Sequence, residues 1–125
     1  MKALLAGLFA LGGLVLLLGS SGAGDKKEEP KYEIREVMKK AMAKGGLVSR
    51  VAEGTATAAE KKQLVELFIA LHANTPPRGD VSKWQRVTND LVAIARSVEK
   101  GEAGGEKLVK VINCNACHGE FKAKK

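Results

Sequence analysis

VSKWQRVTNDLVAIARSVEK, residues 81–100, sets Trp84, Val87, Leu91, Ile94 and Val98 at steps of three and four. On a helix those steps fall on one face. The spacing predicts a helix along the stretch, with Asp80 or Ser82 as its N-cap and Gly101 as its stop. Upstream, Leu64, Leu67, Phe68 and Leu71 draw a second apolar stripe over residues 58–73. Thr57 and Glu60 stand before it as a T-x-x-E capping box, which satisfies orphan backbone donors at a helix start. Thr75-Pro76-Pro77-Arg78-Gly79 ends it, because proline brings no amide hydrogen to the ladder. A third stripe, Ile34, Val37, Met38, Ala41 and Met42, spans residues 31–44 and is broken by Gly45-Gly46; a weak turn over 47–53 follows. A fourth, led by Leu108, Val111 and Ile112, runs over 105–122. No alternating run or Asn-Gly hairpin signal argues for strands. The expected fold class is all-α. Long helices joined by short connections pack as antiparallel neighbours, so an antiparallel four-helix bundle is the simplest arrangement.

The chain has 125 residues, room for one domain. Hydrophobic residues make up 45% and charged residues 28%, a balance that argues against intrinsic disorder. Two cysteines are too few for a disulfide-dense scaffold. Three Phe, one Tyr and one Trp supply little bulky core material, so another body is expected to help fill the core.

Met1-Lys2 precede an uncharged run to Gly24, with an apolar heart from Leu4 to Leu18. A basic start, an apolar stretch and a small-residue end (Ser21-Gly22-Ala23) read as a secretory signal peptide, residues 1–23. The rival reading is an uncleaved anchor, since the run approaches the length of a membrane span; the interrupting glycines and the cleavage-like site argue against it. With the signal cleaved, no stable membrane span remains. Residues 24–30 form a charged lead-in expected to be disordered, and 31–125 the folded domain. The expected compartment is the bacterial periplasm or another exported, oxidising location. The net charge of +7 suits a partner with an acidic surface, or serves solubility alone. The lysines are scattered and not interleaved with aromatics, so nucleic acid is not expected as a partner.

Both cysteines fall in Cys114-Asn115-Ala116-Cys117-His118. C-x-x-C-H is the attachment signature of c-type haem. On a helix, residues three and four apart share a face. Cys114 and Cys117 can then both reach one edge of a flat macrocycle, with His118 offered to its iron as an axial ligand. Three other readings compete. A Cys114–Cys117 disulfide would not require His118. A thioredoxin-like pair belongs at a helix start after a strand, and no strand is expected. A zinc site would need a fourth ligand, for which His72, the one other histidine, is the candidate. The motif favours one covalently attached haem c, which would also fill the thin core.

A C-x-x-C-H on the last helix of an exported four-helix protein resembles class II cytochrome c, the cytochrome c-prime family. The family motif typically continues C-x-x-C-H-x-x-F-R; here Cys114 to Lys122 read CNACHGEFK, so Phe121 matches and Lys122 replaces the arginine. Ile34-Arg35-Glu36-Val37-Met38-Lys39 is similar to the family's first-helix pattern of an arginine a turn before a methionine. The resemblance covers the two ends of the domain; its middle matches in helical layout alone. It implies one of two functions. In low-spin members a first-helix methionine fills the sixth iron position and the protein carries single electrons, without turning over a substrate as an enzyme would. In the others that position is left behind an apolar side chain, and the iron binds small gases such as nitric oxide or carbon monoxide. Electron transfer is the favoured expectation. Met38 is the candidate sixth ligand and Met42, one turn on, the alternative; either can instead be flexible core filler. Arg35 is a candidate propionate contact or a solvated surface residue. His72 reads as a surface or capping residue, and Trp84 as packing. A redox partner protein is implied, and the family also forms homodimers.

Overall fold

A computed structural model describes residues 29–124. The expected signal peptide and most of the lead-in lie outside the described residues. The described chain is all-α, with no strand. A short α1 (Ile34–Val37) continues into a π-helical turn, Met38–Met42. Then come α2 (Leu47–Ala52), α3 (Ala58–Ala73), α4 (Val81–Glu99), α5 (Gly105–Val111) and α6 (Cys114–Phe121). Among the described residues no helix is long and apolar enough to cross a membrane.

The α3–α4 pair is the centre. α3 starts at the capping box: the Glu60 amide donates to Thr57 Oγ1 and the Thr57 amide to Glu60 Oε1, each at 3.1 Å. α4 starts at Asp80, whose carboxylate accepts from the Lys83 amide at 3.2 Å, so Asp80 rather than Ser82 is the cap. The helices run antiparallel, since His72 meets Thr88 and Asn74 meets Trp84 as one chain ascends and the other descends. Leu64, Leu67, Phe68 and Leu71 are all buried against Trp84, Leu91, Ala95 and Val98. α1 and α2 pack across α3, while α5 lies between α2 and α4 and buries Leu108 fully. The start of α5 abuts the end of α2 so closely that a Cβ on Gly105 would collide with the backbone of Val51 and Ala52.

Two features depart from the sequence reading. The fourth stretch is not one helix. Ile112 (φ −80°, ψ 116°) and Asn113 (φ −122°, ψ 91°) are extended and divide it into α5 and α6. The cause is Asn113: its side chain accepts from the Ala116 amide at 3.0 Å and starts a new helix, in competition with the ladder of the old one. Val111 therefore leaves the core that its spacing suggested, at 41% exposed, while Ile112 stays partly buried against it. The second feature is the π turn, closed by the Ala43 amide on the Met38 carbonyl at 2.8 Å. Such turns occur mostly as single wide turns within helices and are frequent at functional sites.

Phe68 is fully buried at the α3–α4 interface. We expect Phe68→Ala to lower the unfolding free energy by about 3–5 kcal/mol, and Thr57→Ala by about 1 kcal/mol, both read from urea unfolding. A Phe68→Ala protein as stable as its parent would show that this interface is not the core.

Candidate functional site

Each residue of the C-x-x-C-H motif sits on α6. Asn113 caps its first turn, and Cys114 is the first helical residue. Cys114, Cys117, His118 and Phe121 follow at helical steps of three, one and three, so they share one flank. Phe121 is the buried end of that flank, and its ring meets Trp84 edge-on, with centroids 5.2 Å apart and planes at 73°.

That flank forms one wall of a cavity of about 450 Å³. From α6 and the preceding turn come Val111, Ile112, Asn113, Cys114, Cys117, His118 and Phe121. Met38, Met42 and Ala43 line it from the π turn, Leu71 from α3, and Val87, Thr88 and Leu91 from α4. The walls are thus mostly apolar. The rim carries one ion pair, Lys83 Nζ to Glu120 Oε2 at 2.6 Å. A cleft of this size, apolar with a few convergent polar groups, is typical of a small-molecule or cofactor site.

The structure thus brings together five of the six site residues singled out in the sequence: Cys114, Cys117, His118, Met38 and Met42. Met38 and Met42 come from a segment more than 70 residues away in sequence. Both bound the wide turn, and both are partly buried against the core. The sixth, Arg35, is exposed on α1 and is not among the cavity-lining residues. His72 is elsewhere as well. Its Nδ1 is 2.8 Å from Thr88 Oγ1. Thr88 spends its own hydrogen on the Trp84 carbonyl, 2.7 Å away, so Nδ1 donates to Thr88. His72 is therefore not in the cavity wall with the cysteines, as a zinc site completed by His72 would require. Trp84 packs as expected, 2% exposed, with its indole N–H donated to the Asn74 carbonyl at 2.9 Å.

The two thiols are free and differ. Cys114 is exposed. Cys117 is half-buried, and its thiol is pushed above the ordinary value, first by burial, then by Cys114 and Glu120 nearby. It is held as the neutral thiol at neutral pH.

One contributor escaped the sequence reading. Arg78, in the α3–α4 connection, reaches the far end of α6. Its Nε donates to the Lys122 carbonyl and its Nη2 to the Gly119 and His118 carbonyls. Gly79 beside it (φ +90°) lies against α6 where no side chain fits: a Cβ would stand 2.7 Å from the Phe121 ring and 2.9 Å from the Glu120 carbonyl. Pro-Pro-Arg-Gly signals a turn; nothing in it signals a partner 40 residues away.

The residues present fit a haem. Two thiols and an imidazole occupy one helical flank, the facing segment brings thioethers, and the walls between are apolar. Haem iron is held by combinations of imidazole and thioether. Among the described residues no three His, Cys, Asp or Glu side chains converge on one point.

No family model matches the chain, and no characterised protein or solved structure shows significant similarity to it.

With both thiols free, we expect iodoacetamide at neutral pH to modify Cys114 well before Cys117, because Cys117 is less accessible and burial pushes its thiol up. As pH rises through the raised value of Cys117, the gap should narrow. Peptide mass mapping over time measures this; equal rates at neutral pH would contradict the half-buried placement.

Proposed function

We propose that the chain is an exported mono-haem c-type cytochrome, built as an antiparallel four-helix bundle of the class II kind, that carries single electrons. One observation carries the reading: the cysteines and histidine of the C-x-x-C-H motif and two methionines from a remote helix line the same apolar cavity. A chance pentapeptide has no reason to face such a cavity.

In this reading Cys114 and Cys117 would hold the macrocycle covalently, each through one thioether. His118 would offer an imidazole nitrogen to the iron. Met38 would offer a thioether, with Met42 as the alternative; an unbranched side chain with three rotatable bonds can adapt to that role. When bound, haem supplies the one-electron ferric–ferrous couple. Leu71, Val87, Leu91 and Phe121 would give the group apolar walls, and a Met/His ligand pair raises the potential. The protein acts as a carrier, not an enzyme. The excess of basic residues supports a redox partner with an acidic face. The amino-terminal pattern supports export to the periplasm.

The test is the visible spectrum of the protein matured in a host that attaches c-type haem. We expect haem that survives a denaturing gel and is lost in the Cys114→Ser, Cys117→Ser double variant. The ferrous spectrum should be low-spin and unmoved by carbon monoxide. Met38→Ala should open the sixth position to the gas; if Met42→Ala does so instead, Met42 is the ligand. A parent spectrum that is high-spin and shifts with carbon monoxide would replace electron transfer with gas binding. Absence of covalent haem would refute the reading.

A further inference from the structure

We infer that Arg78 is a positioning residue for His118, holding the axial imidazole in place through the backbone of α6; the inference rests on the haem reading above. α6 is only eight residues long, and α4 meets it at its last turn, through Trp84 on Phe121 and Lys83 on Glu120. The α3–α4 connection adds a second hold there. A helix leaves its last carbonyls without intrahelical donors; the Arg78 guanidinium donates to that of Gly119 and to that of Lys122 just past the helix, and it also reaches the His118 carbonyl, which accepts from the Lys122 amide at 3.2 Å as well. The planar fork matters here, because one rigid group spans carbonyls from two successive stretches of backbone. Its charge also suits the negative end of the helix dipole.

Gly79 meets Phe121 and the Glu120 carbonyl with no space to spare, and Lys83 grips the Glu120 carboxylate. Phe121 lies one turn beyond His118 on the same flank. The turn from which the imidazole extends is thus held at the His118 carbonyl and one turn further on at Phe121. Arg78 does not line the cavity. Its influence on the iron passes through His118.

Redox titration of haem-loaded Arg78→Ala and Arg78→Lys tests this, with Thr57→Ala as a control that weakens the fold far from α6. Positioning requires the fork, so both Arg78 variants should keep covalent haem and shift the midpoint potential. A shift of about 59 mV corresponds to a tenfold change in a one-electron equilibrium, and we expect that scale for Arg78→Ala and a comparable shift for Arg78→Lys. Thr57→Ala should leave the potential at the parent value. An Arg78→Lys potential equal to the parent's would overturn the inference in favour of charge alone. Potentials unchanged in both variants, with only the melting temperature lowered, would reduce Arg78 to a helix cap. A parent chain without covalent haem would overturn both the inference and the reading beneath it, whereas loaded variants with unaltered potentials would overturn the inference alone.

Discussion

The structure depends on the register of α3 against α4, and a chain of buried and part-buried hydrogen bonds sets that register at the end next to the cavity. His72 donates to Thr88, Thr88 to the Trp84 carbonyl, the Trp84 indole to the Asn74 carbonyl, and the Asn74 amide to the Tyr32 carbonyl at 2.9 Å. Thr88 is 1% exposed and Trp84 2%, so any slip of the helices would bury these groups unpaired, at a cost of several times the net worth of a single hydrogen bond. Among the described residues no buried side-chain polar atom lacks a partner. The chain also reaches beyond the pair. Asn74 ties in the segment before α1, which leads to Met38 and Met42, and opens the connection that carries Arg78 and Gly79. Both the methionine wall and the support for α6 are therefore placed from one point.

The long helices were legible because two independent signals agreed on each. Periodicity marked the buried faces of α3 and α4, and Thr57, Glu60 and Asp80 marked their starts. The fourth stretch misled because its apolar steps continue through the break, and only Asn113 interrupts them. Asparagine inside a periodic run is ambiguous, since it is tolerated on an exposed helix face and favoured at a cap. The π turn is beyond a periodicity argument, because over five residues its phase scarcely differs from that of an α-helix. Within the site, motif spacing singled out Cys114, Cys117 and His118, and the facing stripe singled out Met38 and Met42. Arg78 could not be found in this way. Its partners are backbone carbonyls, which carry no sequence signature, and they lie about 40 residues off. Arg35 shows the converse: a plausible position in a pattern says nothing about which flank of a helix meets the cavity.

The low aromatic content and the cavity are two sides of one arrangement. Met38, Met42 and Val87, each only partly buried, present apolar surface to the cavity that no aromatic side chain covers except Phe121 at one end. Apolar surface of that kind gains by being covered, at about 25 cal/mol per Å² removed from water. The walls come from the π turn, α3, α4 and the α5–α6 turn, so the cavity exists only once the whole domain has assembled. Its reactive groups, by contrast, are concentrated on one short helix held from outside at both ends, by the Asn113 cap and by Arg78. A flat apolar cofactor bound there would touch every wall at once, and its binding energy would count toward the folded state, which alone presents all of them. Attachment and folding would then be coupled. The covalent bonds would be made on α6, while the stabilisation would be collected from the wall residues of α3, α4 and the π turn, none of which belongs to the motif.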